Sequence, residues 1–387
     1  MRRILHDERG MALAVAIFAL VVVGAMVAGA FFAGTQEQRV GENQRRVIQS
    51  FGVAEAGAQE RVMLWDPFTM NRRPQYPLDS VVIPTAPAPN GTGTYGGYSY
   101  RLGPNIFLID VTGQDSRSFA GTIAGGGGAR QRVGMIARIA PIEFGIKASL
   151  TTQGTVSIGG DAEIDGADQN PWVSCDPPGP TQAGVRTRGS VIDTSVTGSG
   201  AVYGDPAVVN DPNIADSSFT KFGGATYSQL AARATITMAG GNNPISTDAV
   251  VGANGECDTG VETNWGDPHN PNAPCGNYFP IIHVTGNLVI NNTQGQGILL
   301  VDGNLTINGS WDFYGIVIVQ GDLSTAGGGT AEAHVWGGVM ARNADLSTDQ
   351  NLFGHATLNF SSCAILAALQ AQSAIALMRS RGWTQLY

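Results

Sequence analysis

The chain has 387 residues, a net charge of −9 and only 14% charged residues. A chain this acidic is poorly suited to binding nucleic acid through the phosphate backbone, so no nucleic-acid partner is predicted. The length allows two or three domains. The low charge and the 53 glycines agree with an exported protein.

The first 34 residues predict a membrane anchor. Residues 1–10 form a short polar leader, and residues 11–34 contain no charged side chain. A helix over residues 11–34 measures about 36 Å, enough to cross a bilayer core of about 30 Å. Arg2, Arg3 and Arg9 precede it, which favours a cytoplasmic N-terminus in the inner membrane and a periplasmic head.

Two interpretations of this segment stay open. An ordinary secretory signal has a shorter apolar core that is followed by its cleavage site. Here the small residue Gly10 lies before the apolar run. Cleavage between Gly10 and Met11 would therefore leave the apolar helix on the mature protein. The alternative is a signal anchor that is never cut.

The helix is predicted to continue beyond the membrane. No proline occurs before Pro67. Apolar residues recur at helical spacing, which indicates one amphipathic stripe; they are Val40, Val47, Phe51, Ala54, Ala58, Val62 and Trp65. The prediction is one helix over 11–66, about 55 residues and roughly 80 Å long, with a transmembrane part at 11–34 and an amphipathic part at 35–66.

The leader ending at Gly10, the apolar run and the segment TQEQRVGENQRRVIQSFGVAEAG resemble the N-terminal region of PilX-type type IV pilus assembly proteins, a class of minor pilins. The resemblance covers about residues 8–60. Its motif positions are Gln38, Arg39, Val40, Gly41, Glu42, Asn43, Phe51, Ala54, Glu55, Ala56 and Gly57. It implies that prepilin peptidase cuts between Gly10 and Met11 and methylates the new amine.

Two residues depart from the pattern of major pilins. Major pilins usually begin with Phe and carry Glu at mature position five, where this chain has Met11 and Val15. In the family, that Glu is thought to pair with the amine of a neighbouring subunit. Its absence implies a minor pilin or assembly factor instead of a bulk filament subunit.

Four cysteines lie on the predicted exported side, where disulfides persist. They are Cys175, Cys257, Cys275 and Cys363, and none forms a CxxC pair. Three pairings are possible. Cys257 and Cys275 flank a loop rich in Pro and Asn, and closing it removes about 3 kcal/mol of unfolded-state entropy. We pair these two, which leaves Cys175 with Cys363; four reduced buried thiols are the alternative.

The chain changes character after residue 66. Six prolines between residues 67 and 92 predict a connector. TYGGYSYRL and NIFLIDVTG predict a β-hairpin that turns near Gly103 and Pro104, and QRVGMIARIA predicts a third strand. Residues 67–145 are therefore expected to form a small antiparallel sheet, a pilin-like head domain.

Residues 146–361 carry a weak repeat. VTGNLVINNTQ, VDGNLTINGSW and VQGDLSTAGGG place Leu288, Leu305 and Leu323 at spacings of 17 and 18 residues. Short strands at a fixed period with Gly-Asn corners favour a β-helix-like solenoid, with a β-sandwich as the alternative. A helix is predicted at 225–234, and a Ser-capped helix with a tail at 362–387. The predicted fold class is α+β.

No catalytic residue, metal or cofactor is predicted. None of the five histidines belongs to an HExxH motif. His283, His334 and His355 are expected in the repeats and could approach one another. Asp302, Asp322 and Asp345 are expected at equivalent repeat positions, where they would form either a column of acids or part of an Asn/Asp ladder with Asn287 and Asn304.

The sequence thus predicts a non-enzymatic minor pilin that acts in filament priming or adhesion. The expected partners are the inner membrane, other pilins, the pilus assembly machinery, prepilin peptidase and a surface glycan or protein receptor. After assembly the protein would lie in the pilus or at the cell surface. One alternative is a membrane-anchored β-helix enzyme or module that acts on or binds polysaccharide. The other is a pseudopilin of type II secretion.

Overall fold

The computed structural model of the chain describes residues 9–71, 73–89, 91–115, 129–139, 144–159, 162–193, 200–325, 332–346, 355–373, 375–378 and 383–386. The helices within them are α1 (Arg9–Met63), α2 (Pro67–Met70), α3 (Tyr227–Ala231) and α4 (Ser362–Ala371), with a 3-10 helix at Asp216–Phe219.

The strands, in chain order, begin with β1 (Val81–Pro87), β2 (Gly93–Gly103), β3 (Ile106–Asp115), β4 (Arg130–Ile139), β5 (Ala148–Thr152), β6 (Val156–Ile158), β7 (Glu163–Asp165), β8 (Ala183–Thr187), β9 (Val191–Asp193), β10 (Ala201–Tyr203), β11 (Val208–Asn210) and β12 (Ile236–Ala239). They continue with β13 (Ile281–Thr285), β14 (Leu288–Ile290), β15 (Thr293–Val301), β16 (Leu305–Ile307), β17 (Trp311–Val319), β18 (Asp322–Thr325), β19 (Glu332–Ala341), β20 (Asn343–Leu346), β21 (His355–Phe360), β22 (Ile375–Leu377) and β23 (Trp383–Leu386).

The predicted long N-terminal helix is confirmed. α1 runs without a break for 55 residues. The glycines at 41, 52 and 57 each weaken a helix by about 1 kcal/mol, but the rest of the segment consists mostly of good helix formers. The last part of α1 packs against β2, β3 and β4.

An antiparallel sheet receives this helix. Its strand order is β1-β2-β3-β4-β22, and β23 also pairs with β4. Gly103 pairs with Ile106, so the β2–β3 hairpin turns where the sequence predicted. The predicted connector at 67–92 was wrong in part, because it contains α2 and β1. β1 tolerates Pro84 and Pro87 because it is an edge strand, and Pro84 also falls in the irregularity of its pairing between Ile83 and Ala86.

The predicted C-terminal helix and tail needs a second correction. α4 ends at Ala371, where the Ser373 hydroxyl donates to the carbonyl of Leu369 at 2.6 Å. The chain then returns to the antiparallel sheet, and β22 and β23 pair with the edge of β4. That edge would otherwise present unpaired backbone groups. All strands from β5 to β21 are therefore inserted between β4 and the end of the same sheet.

The inserted region consists of two parallel sheets. One has eleven strands, and the other has six in the order β14-β16-β18-β20-β6-β9. In the smaller sheet Leu288, Leu305 and Leu323 are paired in register, as their spacing in the repeat suggested. Ala344 and Val156 continue the same row. The apolar side chains of both sheets share one interior cluster, which explains why each repeat has an apolar residue at this position.

A row of glycines marks a second repeated position. Gly297, Gly315 and Gly337 pair with one another in β15, β17 and β19. Their φ angles are +113°, +141° and +145°, a region that side chains with a Cβ rarely adopt. A Cβ on Gly315 would overlap the carbonyl oxygen of Gly297 in the strand beneath it. The close approach of these backbones therefore requires glycine.

The strands do not stack in chain order. The first strand of the large sheet in chain order is β5. β8 pairs with β5 and β11 pairs with β8, so these strands extend the sheet towards one end. After residues 211–235 the chain resumes at the opposite end with β12, and β13, β15, β17 and β19 bring it back. β19 then pairs with β5, and β21 with β7. We call this junction the seam.

The outer face of the large sheet is covered by two segments. α4 packs on β15, β17 and β19. Phe219, Phe222 and Leu230, from the segment that crosses between the two ends, are buried in the same outer cluster. The predicted helix at 225–234 is present as the shorter α3, which Thr226 caps by accepting from the backbone N–H of Gln229 at 3.2 Å.

We expect Gly315→Ala to lower the free energy of unfolding by about 2–4 kcal/mol, because it adds a steric overlap to an unfavourable φ. The matched control is Gly241→Ala, since the atom nearest to a Cβ there is 3.9 Å away. Urea unfolding of both variants in detergent measures the difference. Equal midpoints for the two variants would contradict the proposed constraint.

Candidate functional site: the exposed helix and its packing

The first part of α1 is unpacked along its whole circumference. Its apolar side chains are exposed, with Phe18 at 71% and Phe31 at 75%. Among the described residues, Leu13–Met63 is one helix long and apolar enough to cross a membrane, and its most apolar window is not buried at all. An apolar surface of this size on a protein needs lipid or other apolar helices around it.

Four of the six residues predicted to act in assembly lie along this exposed part, whereas Phe51 and Glu55 lie where α1 meets the sheet. Val15, Gln38, Arg39 and Asn43 are all exposed. Gly10 and Met11 lie in the first turns of α1, while residues 1–8 of the predicted leader are outside the described residues. Glu42 and Arg46, one helical turn apart, are 3.8 Å from each other.

The predicted amphipathic stripe is buried only in its second half. Val40 is 63% exposed, and Val47 is exposed as well. Phe51 is half-buried, and Ala54 and Ala58 are fully buried against the sheet. The apolar stripe therefore does face the sheet, as predicted. It begins to pack about ten residues later than expected, where α1 first reaches the sheet.

The AEAG motif at 54–57 has a physical explanation at this contact. A Cβ on Gly113 in β3 would overlap the backbone of Ser50 and Ala54, so position 113 must be glycine for α1 to lie this close to β3. A Cβ on Gly57 would overlap the ring of Tyr95. Glu55 is half-buried beside them. Small residues on both elements thus set the distance between helix and sheet.

Tyr95 also fixes the helix through a hydrogen bond. Its hydroxyl donates to Oε2 of Glu60 at 2.6 Å, and the side chain is buried. Burial, together with this bond, raises the pKa of Tyr95 to about 12. The phenol therefore remains a neutral donor throughout the physiological range.

A buried polar contact joins the end of α1 to the inserted region. The indole nitrogen of Trp65 donates to Oδ1 of Asn71 at 2.8 Å. The amide nitrogen of Asn71 donates to the carbonyls of Gln370 and, at 3.0 Å, Ser373. The Gln370 side chain donates in turn to Oδ1 of Asn105 at 3.0 Å. α4 is thereby connected to both the helix and the sheet.

The structure contains two disulfides, Cys175–Cys363 and Cys257–Cys275. These are the two pairs proposed from the sequence. Cys363 is in the first turn of α4, and Cys175 is in the loop that follows β7, so the first bond lies beside the seam. Nearby, both carboxylate oxygens of Asp168 accept from Ser362, at 2.8 and 2.6 Å. The bond and the carboxylate hold α4 to the first half of the inserted region.

The predicted column of acids is not formed. Asp322 is equivalent to Asn304 and not to Asp302: Asn287 accepts from the backbone of Asn304 at 3.0 Å, and Asn304 from that of Asp322 at 3.0 Å. These contacts are the ladder that was the alternative expectation. Asp345 lies opposite Ser324, in a different row.

His283 and His334 do not meet as predicted, since they lie in different rows of β13 and β19, and the side chain of His355, the third histidine of that prediction, lies outside the described residues. His283 contacts Asp302, which accepts from it at 3.0 Å and from the hydroxyl of Tyr227 at 2.8 Å. His334 contacts Thr357 and, at 3.6 Å, Glu332. In the part of the chain that is described, no three His, Cys, Asp or Glu side chains are arranged to hold a metal ion.

No family model matches the chain, and no curated protein matches it. Among solved structures it is similar to the crystal structure of the competence-associated pilin ComZ from Thermus thermophilus, with 12% identity over 88% of this chain and 97% of that chain. The TM-score is 0.28, too low to carry an inference. The geometry of α1 and its packing is therefore the basis for a proposed function.

We expect Gly57→Ala and Gly52→Ala to change stability in opposite directions. At Gly57 the added methyl overlaps the buried Tyr95 ring, and repacking lowers the unfolding free energy by about 1–3 kcal/mol. At Gly52 a Cβ meets nothing within 4 Å, so helix propensity raises it by up to about 1 kcal/mol. Chemical denaturation measures both, and a stabilising Gly57→Ala would show that the helix is not set by this contact.

The two disulfides are expected to differ in effect. Cys175→Ser with Cys363→Ser releases a closure across 188 residues, and the chain-entropy model gives a loss of about 5 kcal/mol. Cys257→Ser with Cys275→Ser releases only 18 residues, for a loss of about 3 kcal/mol.

Hydrogen exchange locates the two effects. The first double variant should raise exchange in α4 and β21, beside the seam, and the second only around residues 246–280. Equal protection of α4 in both variants would contradict the assignment of Cys175–Cys363 to the seam.

Proposed function

We propose that the protein is a membrane-anchored, minor pilin-like subunit of a type IV filament, which acts without catalysis in priming or at the tip. The observation that carries this proposal is α1. One continuous helix has an exposed apolar half and a half packed on an antiparallel sheet. A simple membrane anchor does not require the two halves to be one rigid element.

The exposed half suits two environments in succession. Before assembly, residues 11–34 would lie in the inner membrane with the head in the periplasm. In a filament, the same apolar surface would pack against helices of other pilins, since apolar helix surfaces associate by close packing once lipid is withdrawn. Because α1 is continuous, the pilus machinery would extract helix and head as one body.

Val15 supports a minor position in such a filament. It is 66% exposed on the apolar part of α1 and has no group that could pair with a neighbouring amine. By the resemblance to PilX-type proteins, prepilin peptidase would release Met11 as the methylated N-terminus. A subunit without the carboxylate is better suited to the start of a filament than to its repeated body.

The inserted region is proposed to be a β-helix-like display domain. Parallel strands paired in register, repeats of 17 and 18 residues and a shared apolar interior support this description. The proposed domains are the leader at 1–10, the helix at 11–66, the pilin-like head at 67–145 with β22 and β23, and the inserted domain at 146–361 with α4. At a tip, this domain would contact a surface glycan or protein receptor.

The cleavage site gives a direct test. In cells with prepilin peptidase, N-terminal sequencing and intact mass should show a chain that begins at N-methylated Met11. Gly10→Val should leave the leader attached, because a branched side chain blocks the position before the cut. The matched control, Gly24→Val, lies in the same helix with open space around it and should be processed normally.

An intact Met1 in the wild-type chain would overturn the pilin proposal and leave a plain signal anchor. Purified type IV filaments that contain the processed protein would support the proposed role. A processed protein that is found only with type II secretion components would identify a pseudopilin, which shares the same leader and helix.

A further inference from the structure

A cavity of about 210 Å³ lies on the outer face of the large parallel sheet, at the seam. Its floor includes Met340, Thr151 and Arg186, which occupy one row across β19, β5 and β8. Its walls come from residues 144–146 and from the crossing segment at 211–223. The floor therefore exists only when the two halves of the stack have joined.

The charged groups of this cavity carry a net positive charge on an acidic protein. Arg186 and Asp211 form an ion pair, and the backbone N–H of Asn213, with that guanidinium, holds the pKa of the Asp211 carboxyl below its usual value. Lys221 lies exposed at the rim, and among the described residues it has no ion-pair partner. One positive charge thus remains for a ligand.

Hydrogen-bonding groups surround this charge. The side chains of Thr151, Ser218 and Asn213 line the cavity. Oγ of Ser218 accepts from the backbone N–H of Ala215 at 3.2 Å, and the amide nitrogen of Asn213 donates to Asp211 at 3.1 Å. The Ser218 O–H and the Asn213 Oδ1 are left for a ligand. Arg186 donates to Asp211 through one terminal nitrogen, and a guanidinium has five N–H donors, so others are available. This density of polar groups in a small cavity suits a hydroxylated ligand better than a lipid or another apolar molecule.

An aromatic pair supplies the apolar part of the cavity. The rings of Phe144 and Phe222 stack at 4.7 Å between centroids and 9° between planes, and both side chains line the cavity. Sugar rings present apolar C–H groups beside hydroxyls, so aromatic and hydrogen-bonding side chains together match them. A carboxylate on the sugar would match Lys221 and Arg186.

We propose that this cavity binds an acidic monosaccharide unit, of the uronic acid class, with its carboxylate directed to Lys221 and Arg186. The use of this binding in adhesion rests on the proposed pilin function, whereas the binding itself depends only on the cavity. A uronic acid at the end of, or within, a surface polysaccharide would be the natural form of the ligand.

The test titrates the full chain in detergent with D-glucuronate, D-glucose and acetate, by calorimetry and ligand-observed NMR. Glucuronate should bind, and both glucose and acetate should bind much more weakly. Lys221→Gln should weaken glucuronate binding roughly tenfold, the effect of losing one charge-assisted hydrogen bond. The matched control is Lys147→Gln, which removes the only other lysine, an exposed residue that does not line the cavity.

Three outcomes would overturn the inference: no binding of glucuronate, equal binding of glucose or acetate, or equal losses in the two lysine variants. Since Lys221 is exposed, its substitution leaves the fold intact, and unchanged thermal unfolding would verify this. A chain that binds glucuronate but retains Met1 would keep this inference and remove the pilin proposal. A processed chain that does not bind glucuronate would remove this inference and keep the pilin proposal.

Discussion

The hydrogen bonds between β19 and β5 and between β21 and β7 join two parts of the chain that are far apart in sequence. Until they form, the parallel stack is two open pieces, each with unpaired strand edges. Contacts of such long range are slow to form because the entropy of closing the intervening chain opposes them. The Cys175–Cys363 bond, the outer packing of α4 and the floor of the Arg186 cavity all lie beside this one junction, so each depends on it.

Much of the fold follows from local patterns. The absence of proline before Pro67 and the apolar run predicted α1, and the leucine spacing identified which residues pair in the small parallel sheet. The order of the strands could not be predicted, since the parallel strands share one apolar pattern and β5 could pair with any of them. β1 was missed because its prolines indicate a connector unless the strand is known to lie at an edge. The return of β22 and β23 to the sheet was missed because the apolar residues after Ala371 continue a helical composition.

The candidate site likewise has parts that could be predicted from the sequence and parts that could not. The exposed residues of α1, including Val15, were predictable because an unbroken apolar run has nowhere to be buried in a head of this kind. The sequence marked Gly57 only as part of a motif. Its packing role could not be predicted, since Tyr95, the residue that it contacts, comes from another element. The cavity had no sequence signal at all. Thr151, Arg186, Lys221 and Phe144 come from separate segments. The pairing of β5 with β8 brings Thr151 beside Arg186, and the crossing of residues 211–235 over the seam adds Lys221.

The insertion of the parallel region between β4 and β22 has a consequence for biosynthesis. The ribosome makes α1 and β1–β4 first, and β4 then keeps one edge open while more than half of the chain is still being made. The sheet that holds the helix is completed last, after α4 has been positioned. A chain whose parallel stack has failed to close would leave that edge of β4 unpaired, and an unpaired strand edge is a template for association with other chains. Completion of β22 and β23 thus couples the sheet that holds α1 to the folding of everything inserted before them.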